Sequence, residues 1–311
     1  MTAFDVITMG RVGVDLYPEQ SGVSLADVQT FGKFLGGTAT NVAVAAARYG
    51  HRSSVITKVG DDAFGTYVRA ALGKFGVDVG YVGTDPDLKT PVVFCEIHPP
   101  DHFPIVFYRE PKAPDMNLRL DELDLEAICA TRILWTTGSG LSDEPSRTAT
   151  LGALRARGRT GITIHDLDHR PVFWTDPSEA GRWQRQALSD VTIAIGNLEE
   201  CAVAVGAGSP DTMAGHILDL GVSVAVVKMG PDGVRAYTAD TVHSAAPVPI
   251  EVVNGLGAGD AFGGAVCHGL LSGWKWDRIV RFANAAGALV ASRLACADAM
   301  PDETEVMELL G

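Results

Sequence analysis

Long hydrophobic runs are missing from this chain. No apolar stretch reaches the roughly 18 residues needed to cross a bilayer, and the first ten residues carry Asp5 but no basic residue. A secretory signal would need a positively charged start and an apolar middle. We therefore expect neither a signal peptide nor a membrane as a partner.

Cysteine is scarce and scattered. None of the five cysteines forms a Cys-x-x-Cys pair, so the spacing favours neither a zinc ribbon nor a disulfide framework. An odd, dispersed set predicts reduced, buried thiols in a cytoplasmic protein. The five are Cys95, Cys129, Cys201, Cys267 and Cys296.

Positive charge is also in short supply. The chain has 25 Lys and Arg residues against 38 Asp and Glu residues, a formal net charge of −13. Such a surface argues against nonspecific binding of a nucleic-acid backbone. Any anionic substrate would have to be held by cations placed locally.

What the sequence does have is a regular alternation of apolar and amphipathic segments. Its 311 residues, 46% of them hydrophobic, suffice for one large domain or two modest ones. Strands separated by helices predict parallel βαβ units and an open α/β sheet. The predicted strands are 4–9, 54–59, 132–135, 161–164, 191–195 and 222–227, and the predicted helices are 38–49, 63–75 and 146–157.

Two stretches interrupt this alternation. Residues 12–34 lack a helical period, and residues 91–109 contain two β-rich runs around Pro99-Pro100-Asp101. Both predict β excursions that leave the main sheet. If the two excursions pair, they form a small sheet that covers a site.

The most distinctive motif lies in residues 254–269, where a glycine-rich turn runs into an Ala- and Val-rich helix near Asp260. The backbone amides of Gly257, Ala258 and Gly259 would point outward from the helix start, an arrangement that binds phosphate. The alternative is that Asp260 simply caps this helix. The loop matches neither the Gly-Lys-Ser/Thr pattern nor the Gly-x-Gly-x-x-Gly pattern of common phosphate sites.

A second glycine motif begins a helix near the start of the chain. Gly36 and Gly37 allow a ligand close to the backbone, and Asn41 can both donate and accept hydrogen bonds. Taken alone, the motif would indicate no more than a tightly packed helix.

Together and in this order, the two motifs make the chain resemble the ribokinase-like (pfkB) carbohydrate kinases. Weaker matches follow the expected order: Asn197-Leu-Glu-Glu200, Lys228–Gly233 and Asn284–Gly287. The resemblance spans the whole chain and implies a three-layer α/β/α core with a mainly parallel sheet plus a small β-sheet lid. It implies one kinase domain over residues 1–311, with the lid formed by insertions 12–34 and 91–109.

The resemblance also implies a role for each matching residue. Asp260 would accept the hydroxyl proton, and the amides of Gly257, Ala258 and Gly259 would hold the transferring phosphoryl group. ATP and Mg²⁺ would be the phosphoryl donor and its metal, with a monovalent cation undecided. The implied sugar-binding residues are Asp15, Gly36, Gly37 and Asn41; the implied nucleotide-binding residues are Asn197, Lys228, Gly230, Gly233 and Asn284; and Glu200 would orient Mg²⁺ through water.

Two of these matches leave questions open. The pair Asn197 and Glu200 has an alternative interpretation as a helix N-cap with acidic residues in the first turn. Asn254-Gly255 stands where the family usually has Asp-Thr, an acidic position that helps hold a monovalent cation. Without that charge, activation by potassium is in doubt.

Two arginines indicate an anionic substrate. Arg109 lies in a Tyr-Arg segment, and Arg170 follows His165-Asp166-Leu-Asp168-His169; both segments resemble those of acid-sugar kinases in the family. Arginine suits a carboxylate or a phosphate. The alternatives are a surface salt bridge for each arginine and a metal site for the His and Asp residues.

The implied substrate is 5-dehydro-2-deoxygluconate, phosphorylated at its C6 hydroxyl. Asp168, the Phe-Tyr-Arg-Glu segment and residues 297–301 carry this finer resemblance. The alternatives are 2-keto-3-deoxygluconate and another sugar such as fructose. A catalytically silent sugar- or nucleotide-binding protein is the hypothesis from a different class, and a homodimer formed through the lid is a further expectation.

Overall fold

A main sheet, a smaller sheet and the helices packed on them position the candidate site residues. The computed structural model describes residues 4–176 and 178–311, so residues 1–3 and 177 of the predicted 1–311 domain lie outside the description. The strands are β1 (Val6–Met9), β2 (Gly13–Pro18), β3 (Phe31–Gly36), β4 (Ser53–Gly60), β5 (Val82–Asp85), β6 (Val92–Cys95), β7 (Ile105–Tyr108), β8 (Ile133–Thr137), β9 (Ile162–Asp166), β10 (Ile193–Asn197), β11 (Val224–Lys228), β12 (Val234–Tyr237) and β13 (Val242–Ala245).

Helices connect most strands of the main sheet, and three further helices follow the last strand. Short 3₁₀ turns add to them at several strand ends. The α-helices are α1 (Thr38–Arg48), α2 (Ala63–Lys74), α3 (Leu125–Ala130), α4 (Ser146–Arg157), α5 (Glu179–Leu188), α6 (Leu198–Val205), α7 (Pro210–Asp219), α8 (Ala258–Leu271), α9 (Trp276–Ala291) and α10 (Glu303–Leu310).

The main sheet has the order β13-β12-β11-β10-β9-β8-β1-β4-β5. Neighbours from β5 to β11 pair in parallel, whereas β12 and β13 add antiparallel pairs at one edge. This confirms the predicted mainly parallel α/β sheet. None of the helices in the described residues is long and apolar enough to cross a membrane.

Helices cover both faces of the main sheet. Alternate side chains of a strand point to opposite faces, so Ile133 and Trp135 pack against α1, α8 and α9, while Leu134 packs against the α3–α7 side. The Ala-rich sequence of α1 and the Gly-rich sequence of α8 suit this tight layer. The result is the three-layer core that the sequence predicts.

The two predicted excursions form the smaller sheet, in the order β3-β2-β6-β7. Strand β2 pairs antiparallel with β3 and parallel with β6, and β3 extends to Gly36, two residues beyond the predicted segment. We call these four strands the small sheet. The small β-sheet of the predicted fold class is confirmed.

Local sequence sets the ends of α1 and α2. Asp62 caps α2 by accepting a hydrogen bond from the Gly65 amide at 2.8 Å. Gly50 and Gly76 follow α1 and α2 with φ of 81° each, a conformation in which glycine avoids steric strain.

One contact brings α1 and α8 unusually close. A Cβ atom on Gly264 would collide with the Cβ of Ala45. Each residue lies one helical turn after a predicted site residue, Asn41 on α1 and Asp260 on α8. The absence of a side chain at Gly264 therefore sets how closely the two site residues approach.

We expect Gly264→Ala to destabilise the protein, because the added methyl group must push α1 away from α8. Overpacking of this kind costs roughly 1–3 kcal/mol, against a gain in helix propensity of about 1 kcal/mol. The unfolding free energy from urea denaturation measures the net loss.

The matched control is Gly215→Ala in α7, where an added Cβ meets nothing within 4 Å. That variant should be neutral or slightly more stable, and Ala45→Gly should rescue Gly264→Ala in the double variant. Equal stability of the two single variants would contradict the steric explanation.

Candidate active site

A cavity lies between the carboxyl edge of the main sheet and the small sheet. Its lining includes Arg11 after β1, Asp15 on β2, Phe107 on β7 and Asp260 on α8. In parallel sheets, ligands bind at this edge of the strands. We call it the central cavity; the predicted site residues that line it are Asp15, Gly37, Asn41, Arg170, Gly257 and Asp260.

Asp260 lies in the first turn of α8 but does not cap it. The N-cap residue is Gly257, with φ of 81°, and no side chain caps the helix. Asn41 Nδ2 instead donates a hydrogen bond to Asp260 Oδ2 at 2.7 Å. Burial raises the pKa of Asp260 to about 6, against the lowering effect of this bond. The carboxylate of Asp260 is therefore oriented by Asn41 on α1 and is not used to cap its own helix.

Positive charge from backbone amides and from Lys228 lies at the start of α8, beside the glycine-rich loop. The first-turn amides have no helical acceptor, and a Cβ on Gly259 would lie 3.3 Å from Lys228 Nζ. Burial lowers the pKa of Lys228, but Asp166 and Glu200 raise it, and the net direction is upward. A charged ammonium thus stands beside the predicted anion-binding loop.

Two arginines share one carboxylate in the wall of the central cavity. Arg11 Nη2 lies 3.2 Å from Asp168 Oδ2, and Arg170 Nε lies 3.1 Å from Asp168 Oδ1. Burial would raise the pKa of Asp168, but Arg11 and Arg170 hold it at about 2. The group therefore carries two positive charges against one negative charge.

Arg109 does not reach the central cavity. Its guanidinium forms a buried ion pair with Asp115, whose other oxygen accepts a hydrogen bond from the Val12 amide at 3.0 Å. Arg109 also lies over the ring of Phe173, 5.1 Å from its centroid. The arginine expected at the substrate thus fastens β7 to the start of β2, and the pair is buried rather than on the surface.

His165 is a core histidine with two protein partners. Its Nδ1 is 2.8 Å from Thr136 Oγ1 and its Nε2 is 2.9 Å from Gln184 Oε1. Burial lowers the pKa of His165 to about 4. Both ring nitrogens are engaged, so this side chain offers no free nitrogen to a metal.

Asn197 and Glu200 form the capping box that the alternative interpretation describes. The Asn197 side chain accepts from the Glu200 amide at 2.9 Å, and Glu200 Oε2 accepts from the Asn197 amide at 2.7 Å. The box fixes one oxygen of Glu200 and leaves Oε1 for another partner. Its electrostatic neighbour Asp166 has a pKa raised by burial to about 7.

Three predicted nucleotide residues follow β11 or lie on α9. Gly233 has φ of 85°, and a Cβ there would collide with the carbonyl oxygen of Ala245. Gly230 has φ of 57° and open space around it. Asn284 Nδ2 donates to the Ala246 carbonyl at 2.7 Å. Gly233 and Asn284 therefore also have roles in packing β12, β13 and α9.

The small residues before α1 make room for protein atoms. A Cβ on Gly36 would collide with the carboxylate of Asp15, and one on Gly37, with φ of 103°, would collide with the Arg11 carbonyl. Gly36 thus lies beneath Asp15 rather than in the cavity lining. Burial raises the pKa of Asp15 to about 6.

Asn254 is fully buried, and both ends of its amide are used. Nδ2 donates to the Leu294 carbonyl at 2.7 Å, and Oδ1 accepts from the Leu256 amide at 3.0 Å. The side chain therefore fixes the glycine-rich loop against the segment before α10.

The residues that line the cavity and that the sequence interpretation missed include Arg11, Tyr17, Phe107 and Cys296. Arg11 had a readable signal, since it is a charged residue directly after the first parallel strand. Tyr17 and Cys296 had none, because their position depends on how the small sheet packs on the core.

The family comparison covers nearly the whole chain. Residues 3–303 match the pfkB family of carbohydrate kinases. A 5-dehydro-2-deoxygluconokinase of Photobacterium profundum is 34% identical, over 98% of this chain and 94% of the relative. The protein of the same name from Clostridium perfringens is 32% identical, over 99% and 93%.

Solved structures share the fold. A fructokinase from Vibrio cholerae, crystallised with fructose, ADP and calcium, has a TM-score of 0.87 at 25% identity over 99% of both chains. An Escherichia coli protein described as a ribokinase II, crystallised with ATP and Mg²⁺, has a TM-score of 0.90 at 22% identity over 99% of both chains.

We expect Asn41→Ala to move the acid limb of the pH–rate profile upward. The rate should fall as Asp260 is protonated, so the wild-type limb should lie near pH 6. Loss of a hydrogen bond to a carboxylate, worth about 1.5–3 kcal/mol, should raise that pKa by roughly 1–2 units. The pH dependence of kcat for sugar phosphorylation measures the shift.

Asn284→Ala is the control, since that amide bonds to Ala246 rather than to a carboxylate. Its acid limb should stay at the wild-type position. The same limb in Asn41→Ala as in wild type would refute the role of this hydrogen bond.

Proposed function

We propose that this chain, which belongs to the pfkB family of carbohydrate kinases, transfers the γ-phosphoryl group of ATP to the C6 hydroxyl of 5-dehydro-2-deoxygluconate. The chain is therefore a phosphotransferase with an alcohol group as acceptor. Two relatives of about one-third identity carry the name of this activity. The proposed product is the 6-phosphate of the sugar acid.

The observation that carries the choice of substrate is the Arg11–Asp168–Arg170 group in the central cavity. Asp168 neutralises one of the two guanidinium charges, so the group itself keeps one positive charge, which faces both the Asp260 carboxylate and any anion in the cavity. Arg170 is 39% exposed at its side chain and so is within reach of a ligand. A carboxylate bound there would receive a charge-assisted hydrogen bond, which fructose lacks the group to form.

Asp260 is the proposed general base. A buried carboxylate with a pKa of about 6 is ionised at neutral pH and is basic enough to take a hydroxyl proton. Asn41 orients this carboxylate, and its own Oδ1 is buried without a protein partner. That oxygen would accept a hydrogen bond from an acceptor hydroxyl, which would bring the sugar close to Asp260.

The amides at the start of α8 and Lys228 are the proposed stabilisers of the phosphoryl group. Backbone N–H groups at a helix N-terminus are fixed donors to an anion. Gly257, Ala258 and Gly259 would supply these donors, and Lys228 would add a full charge beside them. Because these groups are held by the fold, little reorganisation is needed when charge develops.

Mg²⁺ fits the carboxylates beside this loop. Glu200 has one oxygen free of the capping box, and Asp166 is its buried neighbour. Such hard oxygen donors suit Mg²⁺. Glu200 and Asp166 would hold the ion, Glu200 either directly or through water. The bound ion would offset the charge of the phosphates. Gly230, Gly233 and Asn284 remain the proposed surroundings of the nucleotide.

The small sheet is the proposed lid over the sugar, since β2 and β7 both contribute to the central cavity. Excluding water there would prevent wasteful hydrolysis of ATP. Strand β7 is an edge of the small sheet, and Val106 and Tyr108 on it are 41% and 64% exposed. An exposed apolar edge is suited to pairing with a second copy, so we propose a homodimer formed through the lid. We also propose that the protein acts in the cytoplasm, where ATP is supplied.

Asp260→Asn should lower kcat by roughly 10²–10⁴-fold, the usual effect of losing a proton acceptor. Release of ADP with the sugar acid, ATP and Mg²⁺ measures it, and circular dichroism confirms folding. Asp62→Asn, which keeps a helix cap outside the cavity, is the control. Retention of more than half of the activity would refute the assignment, and release of no ADP by wild type with any sugar would favour a silent binding protein.

Arg170→Ala should raise KM for the sugar acid far more than KM for fructose. The lost bond is worth about 1.5–3 kcal/mol, so the preference for the acid should fall about 10- to 150-fold. Arg170→Lys should keep only part of the preference for the acid, because an ammonium lacks the guanidinium fork. The kcat/KM ratio for 5-dehydro-2-deoxygluconate against 2-keto-3-deoxygluconate and fructose measures the effect.

Arg109→Ala tests the other expectation from the sequence. Its ion pair with Asp115 lies outside the cavity, so we expect lower stability with an almost unchanged kcat/KM ratio. Arg119→Ala, on the surface with Asp121, should change neither. A wild-type preference for fructose over both acids would refute the proposed substrate.

A further inference from the structure

Strand β2 presents two polar side chains to the central cavity, Asp15 and Tyr17. Residues two apart on a strand share a face, and the Tyr17 hydroxyl lies 2.6 Å from Asp15 Oδ2. The same hydroxyl lies 2.8 Å from the sulfur of Cys296. Tyr17 is 1% exposed and Cys296 is 3% exposed, so water hardly competes for these contacts.

The direction of these hydrogen bonds follows from counting protons. Tyr17 has one hydroxyl proton, and an ionised Asp15 can only accept, so Tyr17 donates to Asp15. The contact with sulfur then requires the Cys296 thiol to donate to the tyrosine oxygen. Burial raises the pKa of Cys296 well above its usual value, so the thiol keeps its proton.

We propose that Cys296 and Tyr17 are positioning residues that hold Asp15 ionised and aim its free oxygen at the hydroxyls of the acceptor sugar. This inference rests on the proposed function, in which the central cavity binds the acceptor. The two residues act through Asp15 and need not touch the sugar.

Asp15 needs such a donor because it is buried. Burial raises its pKa to about 6, while Tyr17 and Arg11 lower it. Without the tyrosine proton, a larger fraction of Asp15 would be protonated at neutral pH and would lose an acceptor for sugar hydroxyls. The titratable groups that face Asp15 are Arg11 after β1, Tyr17 on β2, Tyr67 on α2, Cys95 on β6 and Cys296 before α10.

Cys296 also connects the small sheet to the predicted anion-binding loop. A Cβ on Gly257 would lie 2.7 Å from the Cys296 sulfur, so the thiol packs directly on the N-cap of α8. The hydrogen-bond chain therefore runs from Cys296, which packs against the loop that begins α8, to the Asp15 carboxylate on β2. One side chain in the core thus sets the position of Asp15 relative to Asp260.

Four variants test the chain. Tyr17→Phe removes the donor but keeps the ring that stacks on Phe34, 5.4 Å between centroids. Cys296→Ala removes the thiol proton, whereas Cys296→Ser keeps a donor of similar size. Cys267→Ala removes a buried thiol on α8 outside the cavity lining and is the control.

For Tyr17→Phe we expect the acid limb of kcat/KM for the acceptor to rise by roughly 1–2 pH units. KM for the acceptor at neutral pH should rise about tenfold or more, while kcat/KM for ATP at saturating acceptor stays within twofold. Cys296→Ala should shift the limb in the same direction by less, and Cys296→Ser should restore it. Cys267→Ala should leave it in place.

A carboxyl ¹³C titration of Asp15, assigned with Asp15→Asn, measures its pKa without any need for activity. A higher pKa in Tyr17→Phe supports the chain, and an unchanged pKa overturns it. A loss of thermal stability in Tyr17→Phe with no shift in the acid limb would also overturn it, since that is a purely structural role. Failure of wild type to phosphorylate any sugar would refute the proposed function, and the titration would still decide this inference.

Discussion

The close approach of α1 and α8 at Ala45 and Gly264 is the constraint on which the site depends. Asn41 and Asp260 lie one turn earlier on the same two helices, and their 2.7 Å hydrogen bond forms only at this helix separation. The neighbouring Gly263 packs on the ring of Trp135 in β8, where an added Cβ would lie 2.5 Å from the indole. Glycine is a poor helix former. Gly263 and Gly264 nevertheless allow α8 to lie against both the sheet and α1.

Three aspartates at one edge of the sheet have different pKa values, and their partners explain the differences. Desolvation by the surrounding protein raises the pKa of each of them. Two guanidinium groups hold Asp168 near pKa 2, one amide donor leaves Asp260 near 6, and the acidic neighbour Glu200 helps keep Asp166 near 7. A permanent anion, a proposed general base and a candidate metal ligand can therefore come from one residue type.

The sequence predicted the elements that depend on local pattern. The parallel sheet and the small sheet follow from apolar periodicity and turn residues, and the loop before Asp260 could be located from its glycines. Roles that depend on which partner the folded chain brings to a side chain could not be predicted in this way. Arg109 resembles a substrate cation in its segment, but the chain supplies Asp115 as its partner from six residues away.

The glycine positions show the same limit of prediction from sequence. A missing side chain signals close approach, yet it does not say what approaches. The approaching group is the Asp15 carboxylate at Gly36 and the Ala245 carbonyl at Gly233. Both glycines lie in motifs whose resemblance points to ligands, and the tertiary fold decides that protein atoms occupy the space.

The net charge of −13 leaves recognition of an anionic substrate to short-range interactions. At physiological ionic strength, charges separated by more than about 8 Å are largely screened, so the acidic surface hardly affects an anion already in the cavity. Inside it, the Arg11 guanidinium lies 5.9 Å from the centroid of Phe107 on the small sheet and 5.5 Å from that of Phe173. These rings exclude water from the cation and thereby strengthen its attraction for a carboxylate. Because Phe107 belongs to the proposed lid, closure of that lid would also strengthen the hold on the proposed acid.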